Sequence, residues 1–149
     1  MKYQVSKHFR TFGAVVALML ATVPFSAAQK PAGITVSQLA GTWVATFSGL
    51  TGCGDTTLTA TFTLDSTGNG TQTSSTEHTA GCGDINLAGQ TVQIQSLNSV
   101  GSGFIAFACG TGCGFGFNMQ VLRPSLTGFN MGPQSVSGNF LAGVAFRQK

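Results

Sequence analysis

The sequence predicts an all-β protein: a single eight-stranded antiparallel up-and-down β-barrel, with a two-sheet β-sandwich as the alternative. Three observations carry that prediction. Several windows alternate apolar and polar residues with the period of two that a half-buried strand requires, and no window sustains a helical period. Turn-forming clusters separate these windows at regular spacing. A short echo, Thr51-Gly-Cys-Gly-Asp55, Ala80-Gly-Cys-Gly-Asp84 and Thr111-Gly-Cys-Gly-Phe115, recurs at intervals of 29 and 31 residues, a span that fits two strands and two turns.

In chain order, residues 1–28 read as a cleavable signal peptide. Lys2, Lys7 and Arg10 form a basic segment, Gly13 to Phe25 an apolar one, and Ser26-Ala27-Ala28 offers small residues for cleavage before Gln29. A transmembrane anchor needs ~20 consecutive apolar residues. This run is shorter and is interrupted by Thr22 and Pro24. The expectation is an exported protein, secreted or periplasmic, with no transmembrane anchor after cleavage and one β-barrel domain over residues 29–149.

The first strand is expected at residues 41–50, with Trp43, Ala45 and Phe47 on one face and Thr42, Val44, Thr46 and Ser48 on the other. In the second, 56–65, Leu58, Ala60, Phe62 and Leu64 alternate with four threonines, whose β-branched side chains suit an exposed pleated surface. The third, 70–79, is polar on both faces, so whichever face turns inward brings polar groups into the barrel. Further strands are expected at 90–97, 103–109, 113–122, 125–131 and 138–147. In the sixth, Phe115, Phe117, Met119 and Val121 share a face. Asn69-Gly70 also begins an N-glycosylation sequon with Thr71, but is read here as a hairpin turn.

Cleavage would remove three of the seven basic residues, leaving Lys30, Arg123, Arg147 and Lys149 against Asp55, Asp65, Glu77 and Asp84. The mature chain is then close to neutral. Nucleic-acid binding needs a basic stripe to neutralise phosphates, and no such cluster survives.

All four cysteines, Cys53, Cys82, Cys109 and Cys113, lie in the mature part, and an even count in an exported chain reads as disulfides. Their spacings do not match paired C-x-x-C zinc knuckles, and no metal site is expected. Two bridges can be drawn three ways. In an up-and-down meander the loops after strands one, three and five share one end, which favours Cys53–Cys82 and Cys109–Cys113.

The opening strand, Gln38-Leu39-Ala40-Gly41-Thr42-Trp43, resembles the G-x-W start of the calycin barrels, the group of lipocalins, fatty-acid-binding proteins and avidins; the chain also ends on a strand carrying Arg147. The resemblance implies that Trp43 plugs the closed end of the barrel and that Arg147 packs over it. The family patterns also show what is missing. Trp43 is the only tryptophan, where avidins wall their biotin pocket with several. The lipocalin T-D-Y type motif and C-terminal helix have no counterpart here, and neither does the helical lid of the fatty-acid-binding proteins. A divergent calycin-like barrel is the expectation.

Catalysis requires positioned acids, bases or nucleophiles, and the inventory is thin: Glu77, His78, Asp55, Asp65 and Asp84. Glu77 and His78 are adjacent on a strand and face opposite sides. No G-x-S-x-G sequence marks a nucleophile. Asp55 and Asp84 fall short of a calcium site, and Asp-Gly turn chemistry accounts for them. The chain is therefore expected to be non-enzymatic and to need no cofactor. The leading expectation is a small, largely apolar ligand inside the barrel, walled by Phe47, Phe62, Phe104 and Phe117. The alternative is a structural or protein-interaction module whose phenylalanines fill the barrel. Internal volume separates the two, because ligand pockets run to ~300 Å³ or more.

Overall fold

The computed structural model describes residues 32–108, 114–133 and 139–149. The expected signal peptide, and Cys109 and Cys113 with the bridge expected between them, lie outside the described residues. A short 3-10 helix, Val36–Leu39, leads into nine strands: β1 (Gly41–Thr51), β2 (Gly54–Leu64), β3 (Asn69–Thr79), β4 (Gly83–Leu87), β5 (Thr91–Leu97), β6 (Ser102–Ala108), β7 (Gly114–Val121), β8 (Gly128–Pro133) and β9 (Phe140–Arg147).

The strands close on themselves. β1 pairs with β2 on one side and β9 on the other, and every neighbouring pair is antiparallel. A sandwich would leave unpaired edges on both sheets, whereas the β2–β3 pairing closes this sheet and, among the described residues, only β4 is paired on one side. The eight expected strands are present with boundaries shifted by a few residues.

β4 is the addition. The sequence reading placed no strand between residues 79 and 90. In the structure Ser75 pairs with Leu87 in β4 and Thr71 with Thr91 in β5. Between them Gln72 exchanges backbone hydrogen bonds with Gln90 and Gly89. β4 and β5 are thus two halves of one lane beside β3. Only β5 goes on to pair with β6.

The turn between β2 and β3 is centred before Asn69-Gly70, which instead open β3. Asp65 organises it by accepting hydrogen bonds at Oδ1 from the Thr67 amide (2.7 Å), the Thr67 hydroxyl (2.6 Å) and the Asn69 amide (3.0 Å). The side-chain bond from Thr67, reinforced by the backbone bonds from Thr67 and Asn69, holds the Asp65 carboxyl below its ordinary 3.8. Gly68 supplies the left-handed residue of the turn (φ 84°).

Alternation decides what enters the barrel. Trp43, Ala45 and Phe47 from β1, Ala60, Phe62 and Leu64 from β2, and Phe117, Met119 and Val121 from β7 are all buried. Their rings form a continuous chain along the interior. Trp43 packs on Phe129 (centroids 4.7 Å), Phe129 on Phe62 (6.4 Å), and Phe62 edge-on against Phe107 (5.2 Å). Phe107 then meets Phe117 (6.0 Å), which stacks on Phe47 (4.7 Å). Aromatic pairs of this kind contribute ~0.5–1.5 kcal/mol each beyond the area they bury.

Phe104 corrects an expectation. It lies on the outer face of β6, half-buried, with its ring over Gly116, while its strand neighbours Ile105 and Phe107 are buried inside. The run Phe104-Ile105-Ala106-Phe107-Ala108 is apolar on both faces, so a period of two could not choose between them.

Candidate ligand site at the barrel mouth

The two ends of the barrel differ. One end carries the 3-10 helix and the β2–β3, β5–β6 and β7–β8 turns; the other carries the β1–β2 and β3–β4 turns with their cysteines.

At the first end Trp43 is fully buried and donates from Nε1 to the Leu39 carbonyl (2.9 Å). Arg147, opposite Trp43 in the β1–β9 register, lies over the indole with its guanidinium carbon 4.9 Å from the ring centroid. Its Nη2 donates to the Gln38 carbonyl, and its Nε is buried without a partner among the described residues. Cation–π contact and hydrogen bond together fasten the helix across this end. The pairing of Trp43 with Arg147 is thus present in the structure.

At the other end Cys53 and Cys82 form a disulfide, Cα–Cα 5.4 Å, that joins the β1–β2 and β3–β4 turns. Below it the barrel interior changes character. β3 turns four polar residues inward, Gln72, Ser75, Glu77 and Thr79, all buried. Even- and odd-numbered residues share a face because of a bulge. Thr61 pairs with Ser74 and Phe62 with Gln72, so Thr73 has no opposite residue on β2.

Most of these groups find partners. Gln72 Nε2 donates to Ser75 Oγ (2.9 Å), Ser75 Oγ to the Leu87 carbonyl (3.2 Å), and Thr79 Oγ1 to the Gly83 carbonyl (2.9 Å). Two side chains differ. Glu77, 9% exposed, and Gln90, 6% exposed, have no side-chain hydrogen-bond or ion-pair partner among the described residues. Both line a small cavity, together with Phe47, Phe107, Phe115 and Phe117. Its enclosed volume is about 10 Å³. A single water occupies roughly that much.

The residues expected to wall a ligand therefore separate. Phe47 and Phe117 line this cavity, Phe62 is buried in the ring stack between Phe107 and Phe129, and Phe104 is outside. Sequence reasoning did not place Phe107, Phe115, Glu77 or Gln90 at the site. For Glu77 the usable signal was the polar character of 70–79 on both faces.

Outside the barrel, His78 Nδ1 lies 2.7 Å from Asp84 Oδ1 across β3–β4, with both side chains more than half exposed. Exposed pairs of this kind contribute ~0–1 kcal/mol. Asp84 is thereby engaged, and no group of three His, Cys, Asp or Glu residues suited to a metal occurs among the described residues.

The geometry defines the class: a closed antiparallel barrel with one sealed end and one polar-lined mouth, consistent with a calycin-like barrel. Compared with protein families, curated proteins and solved structures, the chain has no significant match.

Proposed function

We propose that this is an exported, non-enzymatic binding barrel, a divergent calycin, that receives a small ligand head-first at its cysteine-bearing mouth. One observation carries the reading: a buried carboxylate, Glu77, without a counter-charge among the described residues, set among phenylalanines in the upper interior. Placing such a group inside a barrel costs stability unless something pairs with it. A barrel selected for structure alone would be more stable with an apolar residue there. The enclosed volume, about 10 Å³, is far below the ~300 Å³ of a ligand pocket and counts against the expected apolar guest held whole inside the barrel. Only a head group about the size of one water fits, and Leu87 and Phe115, both half-buried at the rim, must give way to the rest of the ligand.

The test is an amide chemical-shift screen of the exported protein against small neutral, cationic and anionic fragments at millimolar concentration. Shifts gathering on Ser75, Glu77, Gln90 and Phe115 support the proposal. Shifts confined to the outer faces, or none with any fragment, overturn it. Export is checked on the same material, whose intact mass should begin at Gln29.

A second reading, a protein-interaction module, is favoured by the outward, cross-strand pair Leu50 and Phe140, 48% and 55% exposed, at the rim of β1 and β9. Replacing both by serine should leave fragment binding intact and abolish any self-association seen by sedimentation.

A further inference from the structure

We propose that the head group received at the mouth is a primary ammonium, so that the ligand class is a compact organic amine. This rests on the preceding reading of the mouth as a ligand site.

Charge is the first ground. Of the residues lining the cavity, Glu77 alone carries a formal charge, and none is basic. The described arginines are engaged at the sealed end, Arg147 over Trp43 and Arg123 with its Nη2 on the Ser99 carbonyl (2.6 Å). A carboxylate only 9% exposed and set among rings attracts a cation and repels an anion, and a neutral apolar guest would leave it unpaired while stripping its remaining water.

The aromatic wall is the second ground. Phe47, Phe107, Phe115 and Phe117 converge on the same space, and the faces of such rings attract a cation by their quadrupoles. Phe107 and Phe117 meet edge to face and Phe117 stacks on Phe47, so those rings are held in place by one another.

Hydrogen-bonding capacity narrows the cation to a primary ammonium. An ammonium head presents three N–H donors. Glu77 supplies carboxylate oxygens, and the Gln90 amide has no partner among the described residues, so its oxygen is available to accept. Gln72 commits its Nε2 to Ser75, which leaves its Oε1 as a third acceptor. A quaternary ammonium would satisfy the charge and the rings but none of these acceptors. It is also larger than the space enclosed.

Three probes of one shape class test the assignment on the wild-type protein: n-butylammonium, 1-butanol and butyrate, titrated at neutral pH and low salt with amide shifts as the readout. Butylammonium is expected to bind at least ten-fold more tightly than the other two, shifting Glu77, Gln90 and Phe115. Tetramethylammonium should bind more weakly than butylammonium. Glu77→Gln, which keeps the shape and removes the charge, should reduce butylammonium affinity at least ten-fold while leaving that of butanol within two-fold. Phe115→Leu, at the rim, should weaken the amine several-fold with little effect on the alcohol. Butanol or butyrate binding as tightly as the amine at these resonances overturns the amine assignment and leaves the mouth as a ligand site. No shift there with any probe overturns both.

Discussion

Replacing Glu77 by leucine should stabilise the barrel, which is unusual for a core substitution. The side chain is buried and lies opposite Leu58 on β2 and Ile85 on β4. Cβ and Cγ are common to both residues, so the change exchanges a carboxylate on Cγ for two methyl groups. At ~0.8 kcal/mol per buried carbon group, the apolar gain is ~1.5 kcal/mol. Relief of the poorly solvated, unpartnered carboxylate adds ~1 kcal/mol or more, and imperfect packing of a branched side chain subtracts up to ~1.5 kcal/mol. The net expectation is ~1–2 kcal/mol of added stability. With a urea m-value of ~1–3 kcal/mol/M the midpoint of unfolding rises by ~0.3–2 M. Urea titration at neutral pH, followed by Trp43 fluorescence, measures it. Glu77→Gln should move the midpoint the same way by less. A midpoint that falls in Glu77→Leu would mean that Glu77 holds the fold together, and the argument for a ligand at the mouth would lose its main support.

Three other outcomes follow from the same structure. The Cys53–Cys82 bridge closes a loop of sequence separation 29, so replacing both cysteines by serine should cost ~3.5 kcal/mol of unfolding free energy; a loss under ~1 kcal/mol would mean the bridge constrains little. Phe62→Ala, inside the ring stack, should cost ~3–5 kcal/mol, whereas Phe104→Ala, outside it, should cost ~1 kcal/mol or less; equal losses would contradict the facing of β6. The folded-state pKa of Asp65 lies below its ordinary 3.8, so its contribution is fully present above that value and is lost as the pH falls through the lowered one. Asp65→Asn should therefore show a flatter decline of stability with acid below pH 3.8, and an unchanged slope would assign the acid sensitivity elsewhere.

How far the fold could be read in advance depended on contrast between the two faces of each strand. In β1, β2 and β7 large apolar residues alternate with Thr, Asn or Gln, and the inward sets were legible residue by residue. In β6 both faces are apolar, and the choice of Phe104 over Phe107 had no physical basis in the sequence. β4 was hidden because Gly83-Asp84 reads as a turn and only Ile85-Asn86-Leu87 remains as a pattern. β8 begins at Gly128 and not at 125, because the connection from β7 uses residues 122–127, with Leu126 in the left-handed region. That the Cys53 and Cys82 turns share one end followed from counting strands, since alternate turns of a meander return to the same end. For the mouth, composition showed that β3 would bring polar groups inside. Which ones depended on the bulge at Thr73, and bulges leave little mark on a sequence of threonines and serines.

That bulge also means that the polarity of the mouth is set by strand register as much as by side-chain chemistry. If β3 ran past Thr73 without the bulge, alternation would be strict. With Gln72 kept inside, positions 75, 77 and 79 would turn to the outer face. Thr76 and His78 would take their place in the interior, exchanging a carboxylate for an imidazole without any substitution. Among relatives of this barrel, loss of the bulge with no change in length would produce a mouth of opposite charge preference while every strand kept its sequence.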